Sequence, residues 1–368
     1  MGIGALAGSL LASCGGNHGK SITVDREVFI AEVEPRVDAI TRTRAGGFIV
    51  TGIGPTAWVV ATDSRGTLLW RFVDPIDSSI DTGSQATPQS EFHGAVSLAN
   101  GNILMCGGRY KSGHTESLVV ILDHNGRLVE KRAAEPNGEA RFIQSNFYQC
   151  FHWRDEILLL GNANDGTHGY IWFVELDGDG VESRQVLLDN VPAVKAGAGG
   201  GPSFVFTAWD SNDHLRIIRA NDKGETIAKR VIAGEFIVQL RPMVESGQTS
   251  VIIYSAGRAT LYTLDQRLQD AQPPRDIASF DVLAGCGYVL ADSSIALFGR
   301  WPNAAVAWIG VHDRSYTLRP VDSKYVSVTV SDAVPIAADQ FVAVRGSVSP
   351  DPKDRGLVMS WVTIKESE

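Results

Sequence analysis

Apolar runs of strand length recur along the chain in groups of four, separated by clusters of Gly, Asn, Asp and Ser. Residues 38–72 carry DAITRTRAGGFIVTG and AWVVATDSRGTLLWRF. Residues 93–109 and 117–130 carry HGAVSLANGNILMCGGR and SLVVILDHNGRLVE, and residues 147–163 and 169–187 repeat the pattern with FYQCFHWRDEILLLGNA and GYIWFVELDGDGVESRQVL. None of these runs has the 3.6-residue period of an amphipathic helix, so each unit reads as four strands. An α/β fold is disfavoured for the same reason.

The turn between the third and fourth runs marks the repeat most sharply. It reads Asp63-Ser-Arg-Gly66, Asp123-His-Asn-Gly126, Asp177-Gly-Asp-Gly180 and Asn221-Asp-Lys-Gly224, then decays to Asp265-Gln-Arg-Leu268 and Asp313-Arg-Ser-Tyr316. An Asp or Asn side chain at the first place bonds the backbone ahead of it, and Gly at the fourth supplies a positive φ. Turn starts are 44 residues apart between Asp177 and Asn221 and 60 apart between Asp63 and Asp123. That spacing fits four-stranded propeller blades with loop insertions. Trp58, Trp172, Trp308 and Trp361 stand five residues before the turn and read as inter-blade core.

Counting the markers gives seven units, and because the fourth and fifth are poorly formed, six or eight blades stay open. The seventh, about 326–364, ends in LVMSWVTI, a third strand with no fourth, while ITVDREVFIAEV (22–33) is a spare strand. The expected fold is all-β: a seven-bladed β-propeller of four-stranded blades, its ring closed by the N-terminal strand in the last blade, which also protects an open edge. The domain boundaries read as 1–13, a signal segment; 14–21, a tether; and 22–368, the propeller.

Two resemblances sharpen this picture. Leu11-Ala12-Ser13-Cys14, after the apolar stretch GIGALAGSLLAS, resembles the lipobox of bacterial lipoproteins, although no Lys or Arg precedes it. The resemblance implies cleavage before Cys14, diacylglycerol on its sulfur and attachment in a bacterial cell envelope. With no Asp after Cys14, it implies the outer membrane, facing the periplasm or the surface. The D-x-x-G-x-x-x-W string ending at Trp70 resembles the quinoprotein-like (WD40-like) repeats of bacterial propeller lipoproteins, with the glycine one residue early. It carries over the fold and neither a cofactor nor a catalytic residue.

Composition narrows the function. The 368 residues have a formal net charge of −9 and a pI near 5.4, which argues against a nucleic-acid partner. No stretch after residue 20 is apolar for long enough to span a membrane as a helix. The eight His residues show no ligand spacing, so no metal is expected, and Asp177 and Asp179 lack the rest of a calcium loop. No nucleophile elbow or P-loop occurs. Ala196–Gly201 reads as a bulged first strand rather than a phosphate cradle. Cys106, Cys150 and Cys286 read as buried small residues, with a pairing of the first two, which fall in neighbouring repeats, as the alternative.

The first strand of each propeller blade lines the central channel. Counting back fourteen residues from the end of each second strand gives Asp38, His93, Phe147, Lys195 and Asp332, with Arg241 and Gly285 the nearest matches in the remaining units. Asp38, His93, Lys195, Arg241 and Asp332 are therefore the candidate ligand-binding residues. The insertion Asp74–Glu91 is a candidate lip for contacting a partner. Two functions follow as expectations. The first is a membrane-anchored, extracytoplasmic binding or scaffold module for an envelope protein or a polysaccharide, without cofactor. The second is a glycan hydrolase or lyase that uses Asp38 and Asp332 as paired carboxylates and His93 as proton carrier.

Overall fold

A computed structural model describes residues 20–31, 33–34, 36–76, 89–111, 113–136, 142–189, 193–200, 203–209, 214–221, 223–232, 236–243, 248–255, 258–279, 283–289, 295–300, 307–312, 317–320, 327–348 and 351–366. Twenty-eight strands, β1 to β28 in chain order, form seven antiparallel sheets of four among these residues. Six sheets use consecutive strands: β2–β5 (36–73), β6–β9 (90–134), β10–β13 (144–189), β14–β17 (193–232), β18–β21 (236–279) and β22–β25 (283–320). The last runs in the order β1-β28-β27-β26, so β1 (Lys20–Ala31) lies beside β28 (Arg355–Glu366). The first strand of each sheet packs on the first strand of the next, and β26 (Ser327–Ala337) packs on β2 (Arg36–Arg42), which closes a ring. Among the described residues no helix is long and apolar enough to cross a membrane.

The blades are less uniform than the repeats predict, and the departures have local causes. In the sixth sheet the outermost strand, β25 (Thr317–Pro320), is four residues long and meets β24 (Ala307–His312) over four pairs. In the fifth sheet the register of β21 (Asp270–Ser279) slips three times against β20 (Arg258–Leu264), once across Pro273 and Pro274. Proline has no ladder donor and is tolerated only at such an edge.

The turn between third and fourth strands is built as its residues dictate. Asp63 Oδ1 accepts the N–H of Arg65 and of Thr67, both at 2.8 Å. Asp123, Asp177, Asn221 and Asp265 repeat this pair of bonds at their own turns. The decayed copy at Asp265 keeps the same geometry, with Leu268 at φ 59° where the others have glycine. Leu268 is fully buried beside Leu264 and Val251, so packing offsets its backbone strain. Asp313–Tyr316 lies outside the described residues.

The cores lie between blades. Trp58 sits directly opposite Gly52 and packs with Val342, Val344 and Met359 of the neighbouring last sheet. Trp172 sits opposite Gly161 and packs with Leu104 and Val119 of the second sheet. Trp308 faces Gly299 in the same way along the backbone ladder. Trp361 does not share this register: Leu357 stands opposite Gly346, and Trp361 pairs with Val342. Its indole lies over Gly66 of the first sheet's turn, with the Arg26 guanidinium 3.9 Å above its ring. The fourth Trp of the series is therefore a seam residue where the last blade meets the first. Trp153, which breaks the register in the sequence, is also buried, edge-on to Phe204.

The seam between chain ends holds a buried ion pair. Arg345, 1% exposed on β27 (Gln340–Val348), donates to Glu27 of β1 and to Ser360 of β28. Ser360 also donates to Glu27. Three strands of the last blade thus share one charge network.

Candidate functional site

Each first strand carries a β-bulge, an extra residue that the second strand leaves unpaired. The unpaired residues are Asp38, His93, Tyr148, Lys195, Val238, Gly285 and Ser331. Bulges re-aim a side chain out of the pleat. The fourteen-residue count finds four of these seven positions. It names Phe147, Arg241 and Asp332 in place of Tyr148, Val238 and Ser331, because hairpin lengths differ between blades. The third blade, for example, turns on Arg154 and Asp155 alone. Phe147 is a core residue, its ring stacked 4.7 Å from that of Trp172. Arg241 pairs with Ser250 in the middle of β18 (Phe236–Met243), and Lys195 sits at the bulge of β14 (Ala193–Gly200). The side chains of both, and all of Cys14, lie outside the described residues, as do residues 77–88 of the insertion.

The structure brings Asp38 and His93 together and adds partners. His93 Nδ1 lies 2.8 Å from Asp38 Oδ2, and its Nε2 lies 3.3 Å from Glu91 Oε1. Asn146 donates to the same Glu91 oxygen at 3.2 Å. The Tyr148 ring lies 5.6 Å from the imidazole, tilted by 33°. Asp38 comes from blade one, Glu91 and His93 from β6 (Ser90–Ser97) of blade two, and Asn146 and Tyr148 from β10 (Gln144–Trp153) of blade three. The cluster therefore clasps three blades.

Its electrostatics follow from that geometry. Burial disfavours the imidazolium, but the hydrogen bond to Asp38 and then the close Glu91 carboxylate outweigh it and lift the His93 pKa to about 9. Burial also pushes the Glu91 carboxyl up. Its contacts with His93, then Asn146 and Arg36, prevail and hold it below the usual range. Burial raises the Tyr148 phenol. At neutral pH the clasp is a cation held between two carboxylates.

Asp332 is placed elsewhere. Its Oδ2 accepts the N–H of Ile40 at 3.1 Å and its Oδ1 that of Ala333 at 2.8 Å, so it ties the last blade to the first. The sequence reading missed Glu91, Asn146 and Tyr148. Glu91 stands two residues before His93, a period-two signal, but it also forms the end of the insertion Asp74–Glu91, which masks it. The insertion's ends are anchored. Asp74 is buried, accepting from Ser90 Oγ at 2.7 Å and from Lys131 Nζ at 2.6 Å. A groove of about 640 Å³ runs beside it between the last and first blades, lined by Glu34, Pro55, Thr56, Val73, Ile76 and Arg355.

The ring is close in shape to solved structures. The Dos1 propeller matches with TM-score 0.51 and 8% identity over 88% of this chain and 77% of that one. The fold is a β-propeller. A protein of unknown function from Dyadobacter fermentans matches with TM-score 0.51 and 11% identity over 94% of this chain and 99% of its own. A chain of the mitotic checkpoint complex matches the propeller with TM-score 0.55 and 9% identity over 95% and 97%. At these identities the likeness is one of fold. No protein-family model matches the sequence, and no curated protein does. Among the described residues of the propeller no three His, Cys, Asp or Glu side chains converge as metal ligands.

Proposed function

We propose that this propeller is a binding scaffold, taking an envelope protein or polysaccharide on the face where Asp38, Glu91 and His93 meet, and held at a bacterial membrane by a lipid on Cys14. The observation that carries the reading is the clasp itself. A histidine with a pKa of about 9 is a cation at neutral pH and a weak acid, far from the value near 7 that suits proton transfer. Its hydrogen-bonding groups form a fixed polar rim across three blades, and preorganisation of that kind favours binding. Asp332 meets backbone N–H groups with both carboxylate oxygens, which does not favour its use as one of a glycosidase pair. The lipid anchor rests on the lipobox at Leu11–Cys14, and two acyl chains hold a protein firmly at a bilayer.

Capture from detergent-solubilised bacterial envelopes and on a polysaccharide panel tests this. The full-length wild type should retain a partner, and Asp38→Asn, verified as folded by circular dichroism, should retain it at least about tenfold less. Capture unchanged by Asp38→Asn and by Glu91→Gln, or glycan turnover that Asp38→Asn abolishes, contradicts the reading.

A further inference from the structure

We propose that Cys106 and Cys150 form a disulfide that staples blade two to blade three behind the His93 clasp. Cys106 lies on β7 (Ile103–Lys111) directly opposite Gly94, and Cys150 lies on β10 of the next blade. Gly94 follows the bulge residue His93, and its missing side chain decides the geometry. At the point where a Cβ would stand, the Cys150 N and Sγ atoms lie 3.1 Å away and the Cys106 Sγ lies 3.5 Å away. Both sulfurs thus converge on one point between the blades. Both are buried in the core shared by Phe147, Leu159 and Trp172. Rotation about each Cα–Cβ bond can bring two sulfurs that already share one site to bonding distance, provided that the backbone holds the Cβ atoms about 4 Å apart.

Burial, with the neighbouring Cys150, pushes the Cys106 thiol well above its ordinary pKa, so in the docked blades that thiol is seldom ionised and reacts slowly. The bond is therefore made as blades two and three come together. The oxidant is a disulfide, either an oxidised low-molecular-weight thiol or a thiol–disulfide oxidoreductase. One cysteine thiolate attacks a sulfur of that disulfide, forms a mixed disulfide and expels a thiolate. The second cysteine thiolate then attacks the mixed disulfide, forming the S–S bond and expelling the other half. Two electrons pass to the oxidant, and the two protons lost from the cysteines end on its two thiols. The inference does not depend on the binding reading, because it concerns only how two blades are joined.

The test is oxidative refolding of the full-length chain in glutathione buffer, thiol alkylation in denaturant, and peptide mapping by mass spectrometry. The expected result is a linked Cys106–Cys150 peptide two hydrogens lighter than its reduced halves, with Cys286 alkylated. Reductant should lower the thermal midpoint of the wild type by about 5 °C and leave Cys150→Ala and Cys106→Ala unmoved. Recovery of both Cys106 and Cys150 as alkylated residues from natively refolded protein overturns the inference, as does linkage of either to Cys14 or Cys286. The wild-type peptide map gives the answer even where a variant fails to fold.

Discussion

His93 is held by groups on either side of the seam between blades one and two, and its protonation is coupled to folding. Its folded pKa of about 9 lies above the ordinary value of 6.5. The stabilisation is therefore complete below pH 6.5 and is lost as the pH rises through 9, by an amount of order 3 kcal/mol. The thermal midpoint should fall between pH 6.5 and 9.5 in the wild type and change much less over that window in His93→Gln. A midpoint that falls equally in both would contradict the clasp. A pair of glycines separates two effects at the same scale. Gly46 has φ 84° with open space around it, whereas a Cβ on Gly126, at φ 77°, would meet the Trp70 ring at 2.6 Å. Gly46→Ala should cost about 1 kcal/mol, the left-handed backbone penalty alone. Gly126→Ala should cost about 3 kcal/mol, since an indole must also move. Urea unfolding of the two variants measures the difference, and equal losses would remove Trp70 from the blade contact.

At the level of strands and turns, the sequence was legible where chemistry is local. The Asp/Asn-x-x-Gly turns could be read because the carboxylate or amide bonds the two N–H groups ahead of it wherever the string occurs. The turn at Asp265 forms without its glycine because burial of Leu268 compensates. The bulges were not legible, since a bulge is a mismatch between two strands and neither strand alone records it. Counting found Asp38 and His93, yet took Phe147 for its neighbour Tyr148. Trp361 keeps the inter-blade place of the Trp series but loses its register for a related reason: its blade has no third-to-fourth turn from which to count. The same missing turn makes β1 the partner of β28, with Arg345 and Glu27 between them. Glu27→Ala leaves the Arg345 guanidinium buried with a lost partner and should cost about 3–5 kcal/mol. Adding Arg345→Met should recover part of that loss. Denaturant midpoints for the single and double variants decide it, and a loss below about 1 kcal/mol for Glu27→Ala would mean that water replaces the pair.

At the scale of the whole molecule, the described apolar faces are buried between sheets: Trp58, Leu118 and Trp172 each pack on the preceding blade. Stability is then a sum over contacts between neighbours, and it is cooperative only if the ring has no free end. The repeats revealed the all-β propeller class for that reason, because units too small to fold alone must stack. They revealed the candidate site less well. The clasp gathers side chains from three blades, and its geometry depends on bulge register and on how closely first strands approach at Gly94. The ligand is set by the surface of the ring rather than by its repeats.

Native-state hydrogen exchange of β1 and β28 tests the central claim, that the chain's first strand completes the last blade and closes the ring. The account predicts that the ladder amides joining the two strands, between Ile22 and Ile364 at one end and Phe29 and Val358 at the other, exchange only with global unfolding, as slowly as the amides of β27. Rapid exchange along β1 while β27 stays protected would show a ring held shut without it, and would contradict the account.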